Sequence, residues 1–319
     1  MPMHMAAIPF LLAMPILWLL LPAIQAQPGP IGYPDAAAPT RWTNSPSLAH
    51  AVNFTDGSAV RAILLFNLYD VYQGPSFAAG FYCTPPCDSF LFAVYIVNAD
   101  SGGGIVLPVV GMAQVIWAAN RGRPVRENAT LSLTADGGLV LRDADGSLVW
   151  SAESSGKAVA GLTITRSGNL VLRDDKNLSV WQSFDHPTDC LVPGQHLAEG
   201  TMLTPNMSNT NFSANDQLHI TVLDSRLYAF AGSSPHQVYY PPWITTPFPE
   251  PKSWNNGSSY IVFSNGSIGS IDLAPPRSLQ YMRFEDDGHL RLYEWQNWQA
   301  WAIVHDVLKL EACGYPTVS

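Results

Sequence analysis

The stretch Leu131-Ser-Leu-Thr-Ala-Asp-Gly-Gly-Leu-Val-Leu-Arg-Asp143 recurs 31 residues later as Leu162-Thr-Ile-Thr-Arg-Ser-Gly-Asn-Leu-Val-Leu-Arg-Asp174, and Trp150 and Trp181 share this offset. In both copies, apolar and polar residues alternate and a turn containing glycine follows, which is typical of β-hairpins rather than helices. Each copy therefore predicts two strands joined by a turn, followed by a third strand that ends near the tryptophan.

A third, more divergent copy precedes these two. Trp117, in Val115-Ile-Trp-Ala, lies 33 residues before Trp150. A unit of this length is too short for a propeller blade, which usually takes ~40–45 residues, and the leucine-rich-repeat pattern is absent. We therefore expect an all-β, three-sided β-prism over residues 40–195, with Trp117, Trp150 and Trp181 meeting near its centre as core residues.

A second, smaller β module is expected over residues 200–304. A polar, asparagine-rich section at 206–215 is followed by renewed strand-like alternation from Leu218. The later segment Tyr281-Met-Arg-Phe-Glu-Asp-Asp-Gly-His-Leu-Arg-Leu-Tyr-Glu-Trp295 resembles the repeat, with Asp287 and Gly288 in the turn. The second module should therefore be related to the first.

Composition and the N-terminus indicate an exported protein. Only 13% of the 319 residues are charged and the net charge is -9, which excludes a basic surface for nucleic acid. The apolar run at 6–23 ends in Ile24-Gln25-Ala26, which predicts a cleaved signal peptide of residues 1–26. A retained signal anchor is the alternative, although three prolines interrupt the run. We expect a secreted, extracellular protein with no membrane span after cleavage.

Sequons and cysteines fit that compartment. Seven Asn-x-Ser/Thr sites are candidates for glycosylation: Asn53, Asn128, Asn177, Asn206, Asn211, Asn256 and Asn265. The four cysteines, Cys83, Cys87, Cys190 and Cys313, match no metal-ligand spacing, so disulfides are expected and neither metal nor cofactor is. Closure of Cys83 with Cys87 is the simplest pairing, which leaves Cys190 and Cys313 to join each other or other partners.

Three segments resemble a known family. Val115-Ile-Trp-Ala-Ala-Asn-Arg121, the repeated Gly-x-Leu-Val-Leu, and Val180-Trp-Gln-Ser-Phe-Asp-His-Pro-Thr-Asp-Cys-Leu-Val-Pro-Gly-Gln195 are similar to the bulb-type lectin domain of plant G-type lectin S-receptor-like kinases. The resemblance implies the β-prism II fold for 40–195 and a second lectin-like module at 200–304. Residues 305–319 resemble the start of the EGF-like region of these receptors.

The resemblance stops at the start of the EGF-like region and does not extend to the rest of the receptors' EGF/PAN, transmembrane and kinase regions. No Gly-rich loop, catalytic loop or Asp-Phe-Gly motif occurs, so no kinase activity is expected. We expect either a stand-alone secreted ectodomain or a truncated receptor. The implied partners are glycans or cell-surface proteins, with homo-oligomers or association with receptor-like kinases as further possibilities.

The family's mannose pattern, Gln-x-Asp-x-Asn-x-Val-x-Tyr, is incomplete in every copy. Each copy keeps two of the five groups: Asp136 and Val140, Asn169 and Val171, and Asp287 and Tyr293. Each lost hydrogen bond is worth roughly 0.5–1.5 kcal/mol, so mannose binding should be weak or lost. Asp136, Asn169 and Asp287 are then interpreted as turn residues. The alternative is a functional mannose- or glycan-binding lectin in defence.

Catalysis is not expected. A glycosidase needs two carboxylates ~5–10 Å apart across a cleft, whereas Asp185 and Asp189 lie on one loop and 285–287 lie together on another. We interpret 185–189 as a proline-containing turn whose side chains bond local backbone. No Gly-x-Ser-x-Gly elbow is present.

Overall fold

A computed structural model describes residues 31–68, 73–106, 113–154, 156–224, 226–232, 237–240, 253–254, 258–264, 267–269, 271–273, 275–296, 300–308 and 310. Within these ranges the chain forms six β-sheets and one 3-10 turn, Ser183–Asp185, without an α-helix. The all-β prediction is confirmed. In the part described, no helix has the length and apolar character needed to cross a membrane. The expected signal peptide, 1–26, lies outside it.

In the first prism, the part of the chain that the structure describes forms fourteen strands. In chain order they are β1 (Ile31–Tyr33), β2 (Asp35–Ala37), β3 (Thr40–Thr43), β4 (His50–Asn53), β5 (Ala59–Asn67), β6 (Gly74–Cys83), β7 (Leu91–Ala99), β8 (Gln114–Ala118), β9 (Thr130–Thr134), β10 (Gly138–Arg142), β11 (Leu148–Ser151), β12 (Gly161–Ile164), β13 (Leu170–Arg173) and β14 (Ser179–Gln182). They form three antiparallel sheets: β1-β5-β6-β7-β8 with β4 on β5, β11-β10-β9-β3, and β14-β13-β12-β2.

The internal repeat has a common register in the three sheets. Leu141 pairs with Trp150, Leu172 with Trp181 and Val94 with Trp117, and each pair lies beside a β-bulge. The three indole rings contact one another edge to face, with centroids 5.7–5.9 Å apart. The prediction that the tryptophans meet in the core is confirmed, and each sheet contributes one ring to the centre.

The segment before the repeat supplies one edge strand to each sheet. Tyr33 pairs with Leu65, Ala37 with Gly161 and Trp42 with Leu131, so β1, β2 and β3 enter three different sheets in succession. The first prism therefore includes strands that begin at Ile31. These strands are too short to show an alternation in the sequence.

The described residues of the second prism form thirteen strands. They are β15 (Cys190–Leu191), β16 (His196–Ala198), β17 (Met202–Leu203), β18 (Leu218–Leu223), β19 (Arg226–Ala231), β20 (Gln237–Tyr240), β21 (Ser253–Trp254), β22 (Ser258–Ser264), β23 (Ser267–Ile268), β24 (Ile271–Asp272), β25 (Gln280–Phe284), β26 (Leu290–Gln296) and β27 (Ala300–Asp306). The sheets are β15-β25-β26-β27, β16-β22-β23-β24 with β21 on β22, and β17-β18-β19-β20.

The chain enters the second prism directly from the first. Cys190 pairs with Arg283 through β15, and Leu197 pairs with Ile261 through β16. Each prism has its own apolar core, one around the three tryptophans and one that includes Leu218, Phe263 and Leu292. The outer face of the β5-β6-β7-β8 sheet is buried as well, which explains why β6 reads as an apolar run without alternation.

Candidate carbohydrate positions and the cleft between the prisms

The pattern positions of the first repeat lie at the β9–β10 turn. Asp136 is exposed, and Thr134 uses its hydroxyl to accept the Gly137 backbone N–H at 3.0 Å. Gly138 replaces the asparagine of the pattern and has a φ of +65°, which favours glycine. Val140 is half-buried on β10. Of the polar groups that a mannose would need, this copy presents only the Asp136 carboxylate.

The pattern positions of the second repeat are occupied by the protein's own contacts. Asn169 is buried; its amide oxygen accepts the Ser183 hydroxyl and the Phe184 N–H, both at 3.2 Å, and its Nδ2 donates to Gln182 at 2.9 Å. Val171 is also buried. Asn169 is thus not a simple turn residue, since it anchors the 3-10 turn that follows β14.

In the third copy, which lies in the second prism, a salt bridge between Arg291 and Asp287 engages the retained aspartate. Arg291 occupies the position of the pattern's valine and donates to both oxygens of Asp287, at 3.1 and 2.6 Å. Burial raises the pKa of Asp287, but the hydrogen bonds from Arg291 and from the His289 backbone N–H together outweigh it and leave the pKa below its ordinary value. Tyr293 donates to Glu285 at 2.5 Å and stacks on Tyr281. Both retained groups, Asp287 and Tyr293, are therefore bonded by residues at replaced pattern positions, Arg291 and Glu285.

A polar network joins the two prisms. Arg121, of the first prism, donates to the Phe212 carbonyl at 3.0 Å, to the Thr204 hydroxyl and carbonyl, and to the Asn206 amide oxygen at 2.9 Å. Asn206 in turn donates to Asp189 at 3.2 Å. Arg121 thereby fixes the loop after β17, a role that no sequence pattern indicated.

Asp189 belongs to this network. It is 3% exposed, and its carboxylate lies 3.7 Å from the Arg283 Nε. The interpretation of 185–189 as a turn with only local bonds is therefore wrong for Asp189, because its partners Asn206 and Arg283 come from the second prism. Asp185 does bond locally, by accepting the Gln182 side-chain amide at 2.9 Å.

Arg283 lies beside the cysteine of β15. It donates to the Val115 carbonyl at 2.7 Å and contacts the Cys190 sulfur at 3.3 Å. Cys190 is buried and has no disulfide partner among the described residues, and burial raises the pKa of its thiol. The Cys83–Cys87 disulfide is present. Cys313 lies outside the described residues, so its pairing with Cys190 stays a prediction.

The sequons differ in exposure. Asn53, Asn128, Asn177 and Asn211 are exposed, whereas Asn206 is half-buried with its amide engaged by Arg121 and Asp189. Asn256 and Asn265 lie outside the described residues.

A cleft of about 270 Å³ opens where the prisms meet. Its lining includes Tyr82 from β6, Ser208, Asn209 and Phe212 from the loop after β17, and Glu285 and Asp286 after β25. Phe212 packs edge to face on Tyr82, with ring centroids 5.7 Å apart. Burial raises the pKa of Glu285, with Arg283 acting in the opposite direction. The cleft was not expected from the sequence, since its lining comes from four separate parts of the chain: 82, 113–115, 206–212 and 283–286.

Known proteins resemble this chain over part of its length. Residues 114–211 match the family model described as D-mannose binding lectin. EP1-like glycoprotein 4 of Arabidopsis thaliana is 35% identical over 199 residues, which are 56% of this chain and 45% of that protein. The epidermis-specific secreted glycoprotein EP1 of Daucus carota is 35% identical over 216 residues, 60% of this chain and 56% of its own.

A receptor kinase is also similar. A G-type lectin S-receptor-like serine/threonine-protein kinase of Arabidopsis thaliana is 29% identical over 252 residues, 70% of this chain and 28% of the kinase. The aligned region thus spans about half of the length of the EP1-type glycoproteins and less of the kinase.

Proposed function

We propose, from the premise that the chain contains a bulb-type lectin domain, that it is an extracellular recognition protein whose mannose-type binding is weak or lost. One observation carries the proposal: polar groups that this chain retains from the mannose pattern already form hydrogen bonds with other groups of the protein. The Asn169 amide is engaged at three bonds, and Asp287 is held by Arg291. A mannose hydroxyl would have to displace these partners to bind.

The energetic argument follows from those contacts. A bidentate bond between a carboxylate and a guanidinium is stronger than a neutral hydrogen bond, so a sugar hydroxyl is a poor substitute for Arg291. Arg291 also places a charge where the pattern uses valine against the apolar face of the sugar. Breaking the Asn169 bonds would leave the Ser183 hydroxyl and the Phe184 N–H without their acceptor. The free-energy cost of these unpaired groups exceeds the free energy gained from one new hydrogen bond to a sugar.

One observation favours the alternative, a functional mannose- or glycan-binding lectin in defence. In the first repeat, Asp136 is exposed and Val140 is half-buried, so this copy still offers one acceptor beside an apolar surface. A single such acceptor supports at most weak binding.

Chromatography on mannose-agarose tests the proposal. The secreted protein should pass through unretained, and Asp136→Ala should behave in the same way. Retention that free mannose competes away, and that disappears in Asp136→Ala, would favour the defence lectin instead. A pull-down that recovers a cell-surface protein without a glycan requirement would support recognition of a protein partner, with a homo-oligomer or a receptor-like kinase as the partners to examine first.

We also propose a secreted glycoprotein with a signal peptide at 1–26. Its two modules extend the expected ranges 40–195 and 200–304, since strands of the first begin at Ile31 and strands of the second begin at Cys190 and end at Asp306. An EGF-like region would then begin after β27, within 305–319. The name of the carrot relative, a secreted glycoprotein, supports this location. The proposal assigns no enzyme activity and no cofactor. Protein from a plant secretory system should begin at or near Gln27 and lose mass on deglycosylation, whereas an intact Met1 on unmodified protein would contradict export.

A further inference from the structure

The cleft between the prisms is a candidate binding site apart from the mannose-pattern positions. Of its lining residues, only Glu285 also occupies a pattern position. Tyr82 comes from the first prism, Phe212 from the loop that Arg121 holds, and Asp286 from the turn after β25. The lining is therefore assembled only when both prisms are folded and joined.

The lining chemistry selects among ligand classes. Glu285 and Asp286 supply carboxylate acceptors, the Ser208 hydroxyl both donates and accepts, and the Asn209 amide does the same. Two carboxylates disfavour an anionic ligand. Arg283, which also lines the cleft, offsets part of the carboxylate charge, so the lining is not built for a cation alone. Neutral molecules with several hydroxyl groups match this mixture.

The volume of the cleft and the Phe212 side chain narrow the class of ligand further. The volume of about 270 Å³ is just below the ~300–1,000 Å³ typical of sites for drug-sized ligands, so one sugar ring fits better than an extended chain. The half-buried Phe212 ring offers an apolar surface for the C–H face of such a ring.

Glu285 and Arg283 are held in place before any ligand arrives. The Glu285 carboxylate accepts the Tyr293 hydroxyl, and Arg283 is fixed by the Val115 carbonyl through Nη2 and by Cys190 and Asp189 through Nε. Such positioning reduces the entropy lost when a ligand binds.

We propose that the cleft binds one neutral pyranose unit of a glycan, with its hydroxyls donating to Glu285 and Asp286 and its apolar face against Phe212. This inference goes beyond the proposed function, because it assigns a sugar ligand to the joint between the prisms, whereas the groups retained from the mannose pattern take no part in it.

Saturation-transfer NMR on the full secreted protein, with the methyl glycosides of glucose, galactose, mannose and xylose at millimolar concentration, tests this site. At least one glycoside should show saturation transfer. Asp286→Asn should weaken its binding at least tenfold, the loss expected for one charge-assisted hydrogen bond. Phe212→Ala should weaken it as well. Since Asp286 is exposed, Asp286→Asn is expected to fold.

Asp175→Asn, at an exposed turn position of the first prism, is the matched control and should bind like the parent. Absence of saturation transfer for all four glycosides overturns the inference. Binding that survives both Asp286→Asn and Phe212→Ala, or that is lost in Asp136→Ala, also overturns it. Mannose retention dependent on Asp136 would refute the proposed function while leaving the Asp286 result to decide the cleft.

Discussion

Truncation of Trp181 should destabilise the first prism severely. Trp181 is 7% exposed, its ring lies 5.7 Å from each of the Trp117 and Trp150 rings, and it stacks on His186 at 5.4 Å. Trp181→Ala removes all three ring contacts and leaves a cavity at the centre, for which the usual cost is ~3–5 kcal/mol. That is a large share of the ~5–15 kcal/mol that stabilises a typical domain.

The expected loss can be measured by thermal unfolding. For a domain of this size, each kcal/mol shifts Tm by ~2–4 °C, so Trp181→Ala should lower Tm by about 6–20 °C and reduce secretion. Lys176→Ala, at an exposed turn position, is the control and should change stability by no more than about 0.5 kcal/mol. If Trp181→Ala is secreted normally and melts within a few degrees of the parent but loses a glycan ligand, the ring is a binding platform and the core assignment is wrong.

Three further predictions concern other contacts. The Glu285 pKa is raised above its ordinary 4.5, so the stability linked to its proton is fully present below pH 4.5 and is lost as pH rises through the folded-state pKa. Glu285→Gln should therefore raise Tm at pH 7 and change Tm little at pH 4. Equal shifts of Tm at both pH values would contradict this. Gly168→Ala would place a Cβ 2.6 Å from the Phe77 ring, so it should lower Tm more than Gly146→Ala, which has a similar φ and open space. Arg121→Ala should speed hydrogen exchange in the loop after β17, and unchanged exchange would show that Arg121 does not hold that loop.

The repeated hairpins could be predicted because their pattern is local. The 31-residue offset implies that Leu141 and Leu172 have equivalent partners, and the structure pairs them with Trp150 and Trp181. The long strands of the remaining sheet were harder to predict. β6 is buried on both faces, so its sequence lacks the alternation that a half-exposed strand shows.

The candidate site, too, has features that the sequence predicts and features that it does not. The incompleteness of the mannose pattern follows from residue types alone. The hydrogen-bond partners of Asn169 and Asp189 cannot be predicted from residue types, because they depend on which separate segments fold together. Arg121 lies within a motif that supported the family resemblance, yet its bonds to Thr204 and Asn206 cross from one prism to the other, and no spacing rule indicates such a contact.

The placement of β1, β2 and β3 in three different sheets has a consequence for biosynthesis. Asp35 bonds Thr163, 128 residues further along the chain. At ~5–20 residues per second, the ribosome needs about 6–25 s to make the intervening segment, so the start of the first prism must wait that long for its partner. Contacts of such long sequence separation also form slowly in their own right. During this interval the apolar β5, β6 and β7 have neither the third sheet nor its tryptophan to pack against. Nascent chains should therefore depend on chaperones until β14 has been synthesised.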